Sequence, residues 1–310
     1  MMLAHLPRYA WADIFPSRPV HWIVGFAPGG GNDIVARLLG QWMSDQYGQT
    51  FIIENRAGAA GNIATDVVAH APPDGYTLLL ISSNNATNAA VDAKVSTTFT
   101  RDIVPVAAIS KNSLVMAVHP KVPAKTVPEF IAYAKANPGK VNMASAGTGG
   151  IGHLTGELFK MMTGTDLVHV PFRGNGPALA ALLGEQVDVL FPSLASAQEY
   201  IKTGTVRALA VTSDTRSNTL PELPTVAEFI PNFEASTWYG VGAPKGTPPD
   251  VITKINKQID SAVSDAKIRI RFDEFGDIAT PMAPAEFGKF ITEEIEKWSK
   301  VAQFANVKPG

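Results

Sequence analysis

Cysteine is absent from the 310-residue chain, which excludes a disulfide framework, thiolate zinc sites and a cysteine nucleophile. The absence fits any compartment and selects none. Charge of one sign is also scarce. A formal net charge of -2 leaves no basic field for nucleic acid or an acidic membrane surface, so no nucleic-acid partner is expected. No apolar run approaches the roughly 18 residues of a membrane helix. The six histidines form no H-E-x-x-H and no paired spacing, so neither a metal nor another cofactor is expected. Charged residues make up 17% against 45% hydrophobic, the balance of a globular chain, and the length admits two domains. The first stretch, MMLAHLPRYAWADIFPSRPV, lacks the apolar core of about 7–15 residues of a complete secretory signal. Residues 1–17 are expected to form an N-terminal arm or leader remnant.

Glycine, by contrast, is placed with a pattern. In GFAPGGGNDIVARLLG, Gly25 to Gly40, an apolar strand over His21–Phe26 runs into three glycines and then a helix. Ile34, Val35, Leu38, Leu39, Trp42 and Met43 share one helical stripe. A strand (TFIIE), a loop (NRAGAAGN), a helix from about Ile63, a PPDG turn and a strand (YTLLLIS) follow. The same order returns as KVNMASA, GTGGIG, HLTGELFKMMTG, DLVHVPF, RGNGP, ALAALLGEQ and VDVLFPS. Two like α/β units, over about 20–83 and 141–193, each carry a glycine loop at the carboxyl end of their first strand. Ligands bind at that edge of open α/β sheets, and backbone N–H groups at a helix N-terminus attract anions. Two such edges facing each other make a cleft between lobes. The apolar segments 104–110 and 237–244 are expected to be hinges, and the helices after Pro244 to pack back on the first lobe.

Several chemistries compete for these motifs. GTGGIG satisfies G-x-G-x-x-G, but the next strand ends VHVPFRG without the acid that holds a ribose; Arg173 leaves a 2′-phosphate reader open. Neither loop ends in G-K-[ST], against nucleotide hydrolysis. MASAG around Ser145 resembles a nucleophile elbow, with His153 as a nearby base, although Met143 stands where glycine is needed. Asp33 complements its helix dipole and competes with a bound anion. No acid lies between Ser145 and Gly156, so the second loop is the better anion site.

In their order, PSRPVHWIVGFAPGGGNDIVARLL, FIIENRAGAAGNIATDVVAHAPPDGYTLLL, NPGKVNMASAGTGGIGHLTGELF, VPFRGNGPALAALLGEQVDVLF and WYGVGAPKGTPPDVI resemble the substrate-binding proteins of tripartite tricarboxylate transporters, the Bordetella-uptake-gene family. The resemblance runs from Pro16 through nearly the whole chain. It implies an α/β, two-lobed periplasmic-binding-protein-like fold of type II, each lobe a mostly parallel sheet flanked by helices. Lobe 1 is expected at 18–110 plus 238–310 and lobe 2 at 111–237. It further implies a periplasmic, monomeric receptor that closes on a small di-, tri- or aromatic carboxylate and delivers it to a permease of large and small membrane subunits. By the resemblance, Phe26, Ala27, Pro28, Gly29 and Gly30 with Ser83, Asn84 and Asn85 supply one wall. Ser145, Gly147, Thr148 and Gly149 with Phe172, Arg173, Pro192 and Ser193 supply the other. Family members commonly have an acid where this chain has Pro192. With Asp33 the only acid in these cleft segments, carboxylates without a free amine are expected to be preferred. An NAD(P)-dependent or hydrolytic α/β enzyme and a sensor for a signalling receptor are the rival readings.

Overall fold

The computed structural model describes residues 15–308; of the expected arm, residues 1–14 lie outside the described residues. The chain begins with β1 (Val20–Val24), α1 (Gly31–Tyr47), β2 (Phe51–Asn55), α2 (Asn62–Ala69), β3 (Thr77–Ser82), α3 (Ser83–Val91), α4 (Ala93–Asp102) and β4 (Ile103–Ser113). A second unit runs β5 (Val115–Val118), α5 (Val127–Ala136), β6 (Val141–Ser145), α6 (Ile151–Thr163), β7 (Leu167–Pro171), α7 (Asn175–Leu183), β8 (Val189–Leu190), α8 (Leu194–Lys202) and β9 (Arg207–Val211). The chain then returns through β10 (Ser236–Pro244), α9 (Pro249–Ser264), α10 (Ala266–Phe275), β11 (Asp277–Met282) and α11 (Pro284–Phe304).

Two sheets result, ordered β11-β4-β10-β3-β1-β2 and β7-β6-β8-β5-β9. In the first, β1 to β4 share a direction and β10 and β11 oppose them; in the second, only β5 is reversed. Both sheets are therefore mixed in pairing, although most strands agree in direction. Adjacent strands traversed once outward and once on return must run antiparallel, and β4 and β10 are such a pair. Helix α1 turns Val35, Ala36, Leu39 and Met43 onto Val20, Trp22 and Val24 of β1, burying the stripe that its periodicity predicts.

The segments 104–110 and 237–244 are not short hinge connections. They are the middle of β4 and β10, paired from Ser236↔Ser113 to Pro244↔Ile103. A strand covered on both faces is apolar without alternation, which makes it look like a buried connection in sequence. The crossings between sheets fall at the strand ends, after Ser113 and before Ser236. There the Leu114 N–H donates to Thr212 Oγ1 at 3.1 Å, and Thr212 Oγ1 donates to the Ala235 carbonyl at 2.6 Å.

Helices α9 and α10 pack on the first sheet through Val251, Ile255, Ile259 and Phe272. Helix α11 departs from the expectation. At 21 residues it is about 31 Å long and reaches both cores. Phe287 and Ile291 pack beside Trp238 and Ile81 of the first sheet, whereas Trp298, Val301 and Ala302 join Phe159 and Phe233 in the second. Both Trp238 Nε1 and Trp298 Nε1 donate to Glu294 Oε2, at 3.0 and 3.1 Å.

Candidate ligand-binding cleft

A cavity of about 860 Å³ opens between the carboxyl edges of the two sheets. Phe26, Gly31, Asn32, Asn84, Asn88 and Tyr239 line one side; Gly147, Thr148, Arg173, Asn175 and Ser193 line the other; Asn112, Thr237, Phe275 and Asp277 lie along it from β4, β10, β11 and the end of α10. Each glycine loop is closed by a local bond with the same spacing. The Gly29 N–H donates to the Asp33 carboxylate at 2.9 Å, and the Gly149 N–H donates to His153 Nδ1 at 3.0 Å. Both glycines hold positive φ, 84° and 78°, a left-handed conformation that side chains resist. At Gly31 the requirement is close approach: a Cβ there would meet the Tyr239 hydroxyl at 2.6 Å.

Asp33 is 3% exposed and also accepts from Arg37 Nε and Asn55 Nδ2, each at 2.9 Å. The Arg37 hydrogen bond leads in holding its pKa down to about 2, against burial. The acid thus serves its own loop and spends the Gly29 N–H. On the second loop His153 Nδ1 takes that role as the acceptor. Gly150, Ile151 and Gly152 line the cleft, and first-turn N–H groups have no carbonyl partner within their own helix. This is the side from which backbone donors can meet an anion.

Beneath that loop, Ser145 is fully buried, its Oγ 2.7 Å from His169 Nε2 and accepting from the Gly147 N–H at 3.2 Å. His169 stacks on His153 with ring centroids 3.6 Å apart. Burial first, then the neighbouring His153, pushes the His169 pKa down to about 4, so the ring is neutral at physiological pH. The imidazole beside Ser145 is therefore His169 and not His153, and the serine hydroxyl is occupied with holding the loop.

Among the residues expected at the site, Phe26, Asn84, Gly147, Thr148, Arg173 and Ser193 line the cavity. Ala27, Pro28, Gly29 and Gly30 are exposed but outside that lining, and Gly31 and Asn32 take the wall. Gly149 also falls outside the lining, its amide turned to His153. Ser83 is buried, and Asn85 is used internally, accepting from the Ser82 N–H and donating to Thr65 Oγ1. Phe172 packs into the second core, and Pro192, buried, offers its carbonyl to the Val115 N–H. Sequence reasoning missed Asn112, Thr237, Tyr239 and Asp277. Thr237 and Tyr239 fall in the segment expected to be a hinge, and nothing local marks Asn112 or Asp277. Asp33, the only acid of the segments named from sequence, does not line the cavity, whereas Asp277, outside those segments, does.

Comparison with known proteins gives a consistent picture. The sequence model described as the tripartite tricarboxylate transporter family receptor matches residues 35–307. The chain is 37% identical over 300 residues to protein BugT of Bordetella pertussis, covering 96% of this chain and 92% of BugT. Among solved structures, an R. palustris protein with adipate shares 34% identity at a TM-score of 0.83, covering 96% of this chain and all of that one. MatC from Rhodopseudomonas palustris, with bound malate, shares 32% at 0.78, covering 93% of this chain and 99% of MatC.

Proposed function

The chain belongs to the tripartite tricarboxylate transporter receptor family, and from that premise we propose that it is a periplasmic solute receptor. It captures a small carboxylate, such as a di-, tri- or aromatic carboxylic acid, between lobes at 18–110 plus 238–310 and 111–237. It passes that solute, as a monomer and without a cofactor, to a permease of large and small membrane subunits. The observation that carries the reading is the cleft wall at the start of α6, lined by Thr148, Gly150, Ile151, Gly152 and Arg173. Hydrogen bonds to a charged group contribute roughly 1.5–3 kcal/mol each, so three or four suffice for micromolar affinity. Adipate and malate in the two similar structures support a carboxylate class.

Capture is favoured over catalysis because Ser145, the candidate nucleophile, is fully buried, and neither it nor His169 lines the cleft where a substrate would sit. A thermal-shift screen tests the proposal, since a ligand that binds only the folded state raises its melting temperature. Succinate, adipate, malate, citrate and terephthalate are set beside ATP and NADPH. Stabilisation by one or more carboxylates is expected; stabilisation by a nucleotide alone would overturn the reading.

A further inference from the structure

Asp277 opens β11 directly across from Asn112 of β4, its register partner, and both line the cleft. The carboxyl is 5% exposed. Ser110 Oγ–H donates to Asp277 Oδ1 at 3.4 Å, and Asn112 adds hydrogen bonding, but among the described residues no cation pairs with it. A buried carboxylate with neutral donors and no counter-charge is costly. Asn112 brings a second acceptor to the same place. Its Nδ2 donates to the Phe275 carbonyl at 2.8 Å, which fixes the amide, and its buried Oδ1 has no hydrogen-bond partner among the described residues. Among the described residues, Arg173 is the only lysine or arginine of the lining. The cleft therefore carries one cation, and elsewhere one acid beside an unmatched acceptor.

We propose that Asp277, together with the Asn112 side-chain carbonyl, receives a protonated amine of the solute, so that the ligand is a carboxylate that also carries an ammonium group. The inference rests on the proposed capture of a carboxylate in this cleft and names its chemical class. An ammonium supplies up to three donors and one positive charge, which matches a carboxylate and a bare carbonyl. It also reverses the preference expected from Pro192, because the missing acid is supplied by a different element. Burial, against the hydrogen bonds of Ser110 and Asn112, pushes the Asp277 pKa up to about 7. Binding an ammonium then favours the ionised acid and releases a proton, so affinity for an amine-bearing ligand rises from pH 6 to pH 8. The groups packed beside Asp277 add no titration of their own in that range: β4 offers neutral Ser110 and Asn112, and burial holds the Tyr239 phenol of β10 far above its usual range. Across the cleft lie Arg173 and His153, the latter facing Gly149 with Nδ1 and Glu157 with Nε2.

Isothermal titration with matched pairs isolates the amine: aspartate against succinate, glutamate against glutarate, and phenylalanine against 3-phenylpropionate, at pH 6, 7 and 8. In the wild-type protein the amine-bearing member of the best-fitting pair is expected to bind about tenfold or more tightly, increasingly so as pH rises. In Asp277→Asn the ratio within the pair collapses toward one and loses its pH dependence; because the ratio is read on one protein sample, partial unfolding cannot mimic it. Tighter binding of succinate or glutarate, weakening as pH rises, would overturn the inference in favour of a protonated Asp277 donating to a second carboxylate. An unchanged ratio in the variant would overturn the role of Asp277. Failure of every carboxylate to bind the wild type would overturn the carboxylate reading and this inference with it.

Discussion

Gly149 shows how a single residue prepares the anion wall without lining it. Its φ of 78° lets the amide turn to His153 Nδ1, and that bond places Thr148 and Gly150 in the cleft. Space is not what forbids a larger residue, since the nearest atom to a Cβ there is Val307 Cγ1 at 4.0 Å. Conformation forbids it: a β-branched residue held at this φ costs about 1–3 kcal/mol. Gly149→Val is therefore expected to move the loop and weaken carboxylate binding about tenfold or more, with the far-ultraviolet circular dichroism unchanged. Unaltered affinity by calorimetry, for a carboxylate the wild type binds, would remove the second loop as anchor.

At the scale of elements, Asp33 joins three pieces: the loop through Gly29, α1 through Arg37, and β2 through Asn55. Its pKa, held near 2 in the folded chain, lies below the usual carboxylate value near 4. The stabilisation is therefore fully present above pH 4 and lost as pH falls through 2. Asp33→Asn is expected to destabilise by about 1–3 kcal/mol at pH 7. Melting curves over a pH series should show the gap between variant and wild type narrowing below pH 4; a gap that widens there would contradict the sign. The same bonds explain why the first glycine loop does not mirror the second chemically: its acid occupies the turn amide, whereas His153 does so without negative charge.

For the whole molecule, the contacts between lobes set what motion is available. Two strand crossings, at 113–114 and 235–236, lie side by side and share Thr212 as a hydrogen-bond hub. Helix α11 is a third connection, with Trp298 buried in the second core and Phe287 in the first. Closure on a ligand then bends the chain at the strand ends and flexes or shifts α11, the hinge and shear motions of two-domain proteins. Small-angle scattering is expected to show a smaller radius of gyration with saturating carboxylate than without it. An identical radius, with binding established by calorimetry, would count against closure.

The sequence by itself determined the features whose causes are local. A strand followed by glycines and an amphipathic helix, met twice, specified two α/β units, and the turns close through bonds only four residues long. Thr148, Arg173, Asn84 and Phe26, which the family resemblance put at the site, do line the cleft. The order of strands in the sheets was not, because adjacency of β4, β10 and β11 depends on segments more than a hundred residues apart and on which faces remain to be covered. Only that tertiary arrangement brings Asn112, Thr237, Tyr239 and Asp277 to the cleft and carries α11 from one core to the other. The left-handed turns at Gly29 and Gly149 are written in backbone geometry that a short stretch encodes. The character of the group at Asp277 was decided by burial and by the absence of a nearby cation, and both are properties of the folded chain.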